Sequence, residues 1–260
     1  MSTPAALTIA GSDSGGGAGI QADLKTFSAL GVYGASAITL VTAQNTRGVR
    51  GVALMEPGVV ADQIAAVLED IAIGAVKIGA LGAETIVEEV ADALADFPGP
   101  VVLDPVMVAK SGDSLLAEGA VRALRDRLLP RATLVTPNLP EAARLTGRPL
   151  AETETEITAQ GTALVEAGAQ AALVKGGHAE GSESRDILFR PGEAPMIFRA
   201  PRIATRNTHG TGCTLSAAIA ARLALGDGLE TAIGAARDWL QGALAAADEL
   251  GIGGGHGPLH

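Results

Sequence analysis

Short apolar runs alternate with stretches of helical periodicity along most of this chain, and this alternation limits the fold more than any other feature. Buried strands are predicted by six apolar segments, at residues 5–10, 36–45, 75–81, 100–107, 133–138 and 171–177. Helices are predicted between them by apolar residues at helical spacing, over residues 20–31, 57–71, 84–97, 119–129 and 156–168. Alternation of this kind predicts an α/β fold, a doubly wound and mostly parallel sheet with helices on both faces.

The last quarter of the chain departs from this pattern. Two apolar runs within residues 186–201 predict an antiparallel hairpin, and two helices follow over residues 211–225 and 229–250. No segment reads as a linker and there is no internal repeat, so we expect one domain spanning residues 1–260.

Charge and composition exclude several classes of partner. The net charge is −10 and aromatic residues make up 2% of the chain, whereas nucleic-acid binding calls for a basic face, often with stacking rings. No apolar run approaches the roughly 20 residues of a membrane span, and the first residues lack the basic region of a signal peptide. With one cysteine and no internal disulfide, we expect a cytoplasmic protein.

Polar, glycine-rich segments follow the predicted strands. They are GSDSGGGAG (11–19), QNT (44–46), DP (104–105), PNLPE (137–141), KGGH (175–178) and NTHGTGC (207–213). Ligands of open α/β sheets bind outside the carboxyl ends of the strands, so these six loops predict a site at one edge of the sheet.

Two of these loops are rich in glycine. Residues 11–19 match neither a dinucleotide-binding fingerprint nor a P-loop, and either a ligand-facing loop or a tight turn would explain them. Residues 207–213 stand where a helix begins, so their backbone N–H groups would bind an anion; an ordinary glycine turn is the alternative.

The charged candidates each have an ordinary structural explanation as well. Asp104 and Glu141 are candidate Mg²⁺ ligands, but Asp104 is equally suited to a cap and Glu141 to a capping box with Asn138. Lys175 would reach a nucleotide phosphate, or be a solvated surface lysine. Asp23, predicted in the first turn of a helix, complements the helix dipole.

Gln44 is the polar candidate without a charge. A buried amide offers both a donor and an acceptor to a heteroaromatic edge, although on the residues alone a backbone cap explains it better.

Together the segments IAGSDSGGGAGIQADLKTF, AQNTRGV, VLDPVMVAKSGD, VTPNLPEA, VKGGH and NTHGTGCTLSAAIAA resemble the bacterial hydroxymethylpyrimidine/phosphomethylpyrimidine kinases of thiamine biosynthesis. The resemblance runs in order from about residue 6 to residue 224, and the tail GHGPLH also matches. It implies a ribokinase-like single domain, a homodimer, and the use of ATP and Mg²⁺. The implied reaction phosphorylates 4-amino-5-hydroxymethyl-2-methylpyrimidine and then its monophosphate.

The resemblance also implies roles for single residues. Pyrimidine recognition falls to Gln44, Gly11, Ala18, Asp23 and Val106, and the anion hole at the transferred phosphoryl group to Gly210, Thr211 and Gly212. Magnesium and its waters fall to Asp104 and Glu141, and the nucleotide phosphates to Lys175 and Thr208. One departure is visible, since some members have GML where this chain has Gly79-Ala80-Leu81, which leaves the pocket less filled.

Cys213 stands where most sugar kinases of the superfamily carry an aspartate base. We expect the helix N-terminus to lower its pKa, so that a thiolate takes the proton of the alcohol in the first transfer. In the second transfer the acceptor phosphate, with a pKa of about 6, needs no base, and an aspartate would repel it. The alternatives are a cysteine that only fills space, a pyridoxal or pyridoxine kinase of the same superfamily, and a non-catalytic ligand sensor.

Overall fold

A computed structural model of the chain describes residues 3–108, 116–176 and 182–259. Within them, nine strands form one sheet in the order β3-β2-β1-β4-β5-β6-β7-β8-β9. The strands are β1 (Ala5–Asp13), β2 (Tyr33–Asn45), β3 (Gly48–Leu54), β4 (Ala75–Ile78), β5 (Val101–Leu103), β6 (Leu134–Val135), β7 (Ala172–Lys175), β8 (Glu183–Phe189) and β9 (Met196–Pro201). The six strands from β2 to β7 in this order pair in parallel, and β3, β8 and β9 pair antiparallel.

Helices cover both faces of the sheet, as the alternation predicts. They are α1 (Gly19–Ala29), α2 (Pro57–Asp70), α3 (Glu84–Ala93), α4 (Glu118–Ala123), α5 (Leu139–Thr146), α6 (Glu154–Glu166), α7 (Thr211–Ala224) and α8 (Leu229–Ala246). One apolar core packs α2 to α6 against one face, and a second packs α1, α7 and α8 against the other. None of these helices is long and apolar enough to span a membrane.

The fold class and the antiparallel hairpin β8–β9 are confirmed, and two elements were not predicted. The first is β3, an edge strand that contains two glycines and an arginine among its seven residues and is exposed along most of its length. The second is α5, whose eight residues are too few for a clear periodicity, although its capping box was recognised as a possibility. Parts of the KGGH and VAKSGD segments lie outside the described residues.

Candidate active site

A cavity of about 630 Å³ opens at the carboxyl edge of the parallel strands. Volumes of this size are typical of small-molecule sites. Every predicted site residue except Asp23 lines it, namely Gly11, Ala18, Gln44, Asp104, Val106, Glu141, Lys175, Thr208, Gly210, Thr211, Gly212 and Cys213. The structure therefore brings together loops that are up to 200 residues apart in the sequence.

The start of α7 forms a cluster of free donors at one wall of the cavity. Gly210 caps the helix with φ of 82°, and a side chain there would overlap the carbonyl oxygen of Gly17. The backbone N–H groups of Gly210, Gly212 and Cys213 have no acceptor among the described residues. Unsatisfied N–H groups at a helix N-terminus attract anions, so this loop has the chemistry of an anion hole.

Lys175 and Asp104 face this loop as an ion pair. Nζ of Lys175 lies 2.9 Å from Oδ1 of Asp104, and both side chains are largely buried. A Cβ atom placed on Gly212 would lie 3.3 Å from Nζ of Lys175 and 3.5 Å from Oδ2 of Asp104. Burial opposes the charge on Lys175, but the carboxylates of Asp104 and Glu141 raise its pKa above the ordinary value. Lys175 is thus a partly buried cation at the anion hole, not a solvated surface lysine.

Glu141 both completes a capping box and lines the cavity, which are the two roles that the sequence allowed. Its Oε2 atom accepts a hydrogen bond of 2.8 Å from the backbone N–H of Asn138, which completes the capping box of α5. The same side chain lines the cavity, and burial raises the pKa of Glu141 to about 7 although Lys175 opposes the rise. A divalent cation beside Glu141 and Asp104 would favour the ionised form of both, and carboxylate oxygens are ligands that Mg²⁺ prefers. The two residues therefore fit a magnesium site.

His209 links Gln44 to the first glycine loop. Its Nε2 atom lies 2.8 Å from Oδ2 of Asp13, and because a carboxylate only accepts, the imidazole N–H donates to Asp13. The amide nitrogen of Gln44 lies 3.3 Å from the same ring nitrogen. The imidazole thus borders the amide that was predicted to recognise the pyrimidine.

The first glycine loop is organised by Asp13 from within. The Asp13 carboxylate accepts hydrogen bonds from the backbone N–H groups of Gly15, Gly17 and Ala18. Burial raises the pKa of Asp13, but the hydrogen bonds from His209 and these N–H groups outweigh it and hold the pKa below its ordinary value. Since these loop donors are already satisfied, the loop shapes the pocket wall and leaves phosphate binding to the start of α7.

The structure corrects the interpretation of Asp23. It is the fifth residue of α1 and lies beyond the first turn, fully buried, so it does not act on the exposed helix dipole. Its Oδ2 atom accepts hydrogen bonds from Thr8 at 2.6 Å and from Lys77 at 2.8 Å. Lys77 was missed by sequence reasoning, although a lysine inside the apolar strand AVKI was the available signal.

The pKa predicted for Cys213 is wrong in direction. The thiol is only partly accessible. Burial raises its pKa to about 11, although Lys77 and a hydrogen bond from the backbone of Gly19 lower it. The cost of burying a thiolate near the Asp23 and Asp104 carboxylates exceeds the stabilisation that Lys77 and the Gly19 backbone provide. At neutral pH the resting side chain is therefore a neutral thiol.

The glycine-rich tail closes against the loop that precedes α7. The backbone N–H of His209 donates to the carbonyl of Gly257, and that of Gly257 to the side chain of Asn207. Leu259 is buried in the core of α7 and α8. The tail therefore packs against the loop that precedes α7 and helps to hold it in position.

Comparison with known proteins decides the family. The phosphomethylpyrimidine kinase family model matches residues 13–260. The chain belongs to this family. It is 56% identical to the hydroxymethylpyrimidine/phosphomethylpyrimidine kinase of Rhizobium meliloti, over 99% of this chain and 97% of that one.

Solved structures agree with this membership in the family. A phosphomethylpyrimidine kinase from Clostridium difficile superimposes with a TM-score of 0.81 at 41% identity, covering 92% of this chain and 99% of that one. An ADP complex of Bacillus subtilis pyridoxal kinase gives a TM-score of 0.86 at 38% identity, covering 93% and 92%. The ribokinase-like fold expected from the sequence is thereby confirmed.

Proposed function

We propose that this chain, acting as one kinase domain over residues 1–260, phosphorylates 4-amino-5-hydroxymethyl-2-methylpyrimidine with ATP and then phosphorylates the monophosphate to the pyrophosphate, in thiamine biosynthesis. One observation carries the proposal. A single cavity joins an amide suited to a heteroaromatic ring, an anion hole and a lysine–carboxylate pair. A family whose members are named for both reactions supports it.

The pyrimidine lies at the wall formed by the first glycine loop and β2. Gln44 offers its amide to the polar edge of the ring, while Gly11, Ala18 and Val106 shape the surrounding wall. His209 limits the positions open to the Gln44 amide, because its ring nitrogen lies 3.3 Å away. Ala80 also lines the cavity and leaves a smaller side chain there than methionine would.

The phosphoryl group is transferred at the start of α7. The N–H groups of Gly210 and Gly212 neutralise the charge on its equatorial oxygens, and Thr211 follows Gly210 as the first residue of the helix. Lys175 and Thr208 serve the remaining nucleotide phosphates.

Asp104 and Glu141 would hold Mg²⁺ and its waters on the nucleotide side of the cavity. When bound, the ion supplies charge neutralisation to the phosphates. Oδ1 of Asp104 is held in place by Lys175, and Ser216 approaches Oδ2 at 3.4 Å, so the carboxylate is oriented before any ligand arrives. Oε2 of Glu141 is held by the Asn138 backbone, and the carboxylate also accepts a hydrogen bond from the backbone of Met107, so it too is oriented before any ligand arrives.

Cys213 takes the proton of the alcohol in the first transfer. The bond from the alcohol oxygen to the γ-phosphorus forms, the bond from that phosphorus to the leaving ADP oxygen breaks, and the alcohol proton passes to sulfur. Because the resting thiol is neutral, it must first lose its own proton to solvent. In the second transfer the acceptor oxygen carries no proton, and Cys213 stays neutral.

The base of the nucleotide lies at the end of the cavity beyond Lys175. Apolar side chains of Ile203, Leu240 and Leu244 line the cavity, and Gln241 adds an amide, so we assign the base to these residues. Such a combination of flat apolar surface and one amide suits a purine ring. The ADP complex of the Bacillus subtilis pyridoxal kinase supports a nucleotide in this fold.

A homodimer would cover the edge of the sheet at β3. Val52 and Leu54 on β3, and Val41 on the neighbouring β2, are exposed apolar side chains. An edge strand with exposed apolar residues is prone to pairing. Light scattering of the wild type and of Val52→Asp/Leu54→Asp tests the dimer, since the double variant should be monomeric.

We place the enzyme in the cytoplasm, where a lone cysteine stays reduced.

The reaction is tested by incubating the purified chain with ATP, Mg²⁺ and each candidate alcohol, with ³¹P NMR to follow products. We expect the pyrimidine alcohol to give a monophosphate and then a pyrophosphate. Phosphorylation of pyridoxal alone would favour a pyridoxal kinase, the name that several of the similar solved structures carry. Binding of either compound with no transfer would instead favour a ligand sensor.

A further inference from the structure

Lys77 is a buried cation that the mechanism above leaves without a task. It lies on β4 with no exposed surface, and the other three residues of the strand are apolar. Lys77 is nevertheless among the residues that line the cavity, together with Gly11, Gly19 and Cys213. A Cβ atom on Gly79 would lie 2.7 Å from this Nζ, so the glycine leaves room for the ammonium group.

The hydrogen bonds of Lys77 are incomplete. An ammonium group has three donors, and Lys77 makes one hydrogen bond to the described residues, 2.8 Å to Oδ2 of Asp23. Oδ1 of Asp23 is buried without a partner. Burial opposes the charge on Lys77, but the Asp23 carboxylate, with a smaller contribution from Asp104, raises its pKa above the ordinary value. The cavity thus contains a permanent cation with donors to spare.

Stability does not explain this ion pair well. Taking two charges out of water costs several kcal/mol per ion, and apolar replacements of buried pairs are often neutral or stabilising. Lys175 already provides a cation for the nucleotide phosphates, where it is paired with Asp104. Lys77 is instead paired with the carboxylate of Asp23 and lies near the thiol of Cys213. We therefore expect it to bind a different group from the one that Lys175 binds.

We propose that Lys77 is the cation that binds the acceptor, donating a hydrogen bond to the alcohol oxygen in the first transfer and to the phosphate of the monophosphate in the second. The inference rests on the proposed two-step reaction. It explains how a cavity lined by the carboxylates of Asp104 and Glu141 accepts a dianion beside a bound nucleotide. Asp23 positions the ammonium, and Lys77 keeps its proton throughout.

The test measures acceptor binding without nucleotide. Lys77→Met alone would strand the Asp23 carboxylate, so the main variant is Lys77→Met/Asp23→Asn, which removes both charges. The matched control is Arg127→Met/Asp92→Asn, which removes an exposed ion pair with an Nη–Oδ distance of 2.6 Å. Calorimetry gives the affinity of each protein for the pyrimidine alcohol and for its monophosphate.

We expect the main variant to bind the monophosphate about tenfold to a hundredfold more weakly, the usual range for a lost hydrogen bond to a charged group. Its affinity for the alcohol should fall much less, and the control should match the wild type for both. Equal losses for the two acceptors, or none, would overturn the proposal. If the wild type phosphorylates neither compound, the proposed function fails instead, whatever the binding data show.

A measurement on the wild type covers the case in which the variant does not fold. The chain has four lysines, Lys25, Lys77, Lys110 and Lys175, so lysine side chains labelled with ¹³C at Cε and ¹⁵N at Nζ give few signals. Variants of the other three lysines assign the Lys77 signal by elimination. A clear shift of that signal on adding the monophosphate supports the proposal, and an unchanged signal at saturation refutes it.

Discussion

The imidazole of His209 lies 2.8 Å from the carboxylate of Asp13, a residue 196 positions earlier in the chain. This contact joins the loop before α7 to the loop before α1, and so joins the proposed anion hole to the proposed pyrimidine wall. Asp13 in turn binds three backbone N–H groups of its own loop. One carboxylate therefore sets the relative position of two walls of the cavity.

Because of this contact, we expect the free energy of unfolding to decrease at acid pH. A carboxylate whose folded-state pKa is lowered contributes stability above its unfolded pKa, and that stability is lost as pH falls through the folded value. Asp13→Asn should cost about 1.5–3 kcal/mol at pH 7, and the difference from wild type should shrink below the ordinary value of 3.8. Urea unfolding at pH 7, 5 and 3 measures it. Asp126→Asn, at an exposed ion pair, is the control and should change little.

Gln44→Ala should weaken pyrimidine binding by roughly 1–3 kcal/mol, because polar groups of the ring lose their partner. Nucleotide binding should change little, since the nucleotide phosphates are proposed to bind at Lys175 and Thr208. Calorimetric titration with each ligand separates the two effects. A parallel fall in both affinities would show that Gln44 supports the structure instead.

Gly212→Ala should slow both transfers, by on the order of 10². The new Cβ would lie 3.3 Å from Nζ of Lys175 and 3.5 Å from Oδ2 of Asp104, and so would crowd the N–H groups that face the phosphoryl group. Gly234→Ala in α8 is the matched control, because a Cβ there meets no atom within 4 Å. If Gly212→Ala transferred phosphate to both acceptors at wild-type rates, the assignment of the anion hole to this loop would be wrong.

Ala80→Met should tighten binding of the pyrimidine alcohol by about fifteenfold, if the two added methylenes buried against the ring contribute about 0.8 kcal/mol each. Ala80 lines the cavity, and its replacement fills space beside the substrate. Equilibrium titration measures the change, with Ala167→Met at an exposed position as control. Weaker binding would mean that the cavity wall has no room for the longer side chain.

Cys213→Ala should slow transfer to the alcohol by on the order of 10²–10⁴ and leave transfer to the monophosphate nearly unchanged. Cys213→Asp should serve the alcohol but repel the dianion. Single-turnover transfer from ATP to each acceptor measures both variants. If Cys213→Ala slowed transfer to the two acceptors equally, Cys213 would only line the cavity and would not act as a base.

The pH dependence of the wild type gives an independent check on the thiol. With a pKa of about 11, the thiolate fraction grows about tenfold per pH unit throughout the neutral range. Transfer to the alcohol should therefore rise from pH 6 to 8, whereas transfer to the monophosphate should level off above the second phosphate pKa of about 6. Cys213→Ala should lose the rise with the alcohol. A flat profile for the wild type on the alcohol would argue against thiolate as the base.

The sequence by itself determined the order of the elements, because the change from runs of buried apolar residues to helical spacing is a local property of the chain. It also determined which loops line the cavity, since the polar residues directly follow the strands that end at one edge. It did not determine β3, which is an edge strand with little buried surface, or the short helix α5.

Only the tertiary structure decided the electrostatics of the site. That Asp23 is buried against Lys77 rather than exposed on a helix depends on β4 lying beside β1 under α1. The Cys213 thiol is neutral because it is buried among two carboxylates and a lysine that come from three other elements. Ionisation states follow from the sum of desolvation and nearby charges in space, and a linear pattern of residues contains neither quantity.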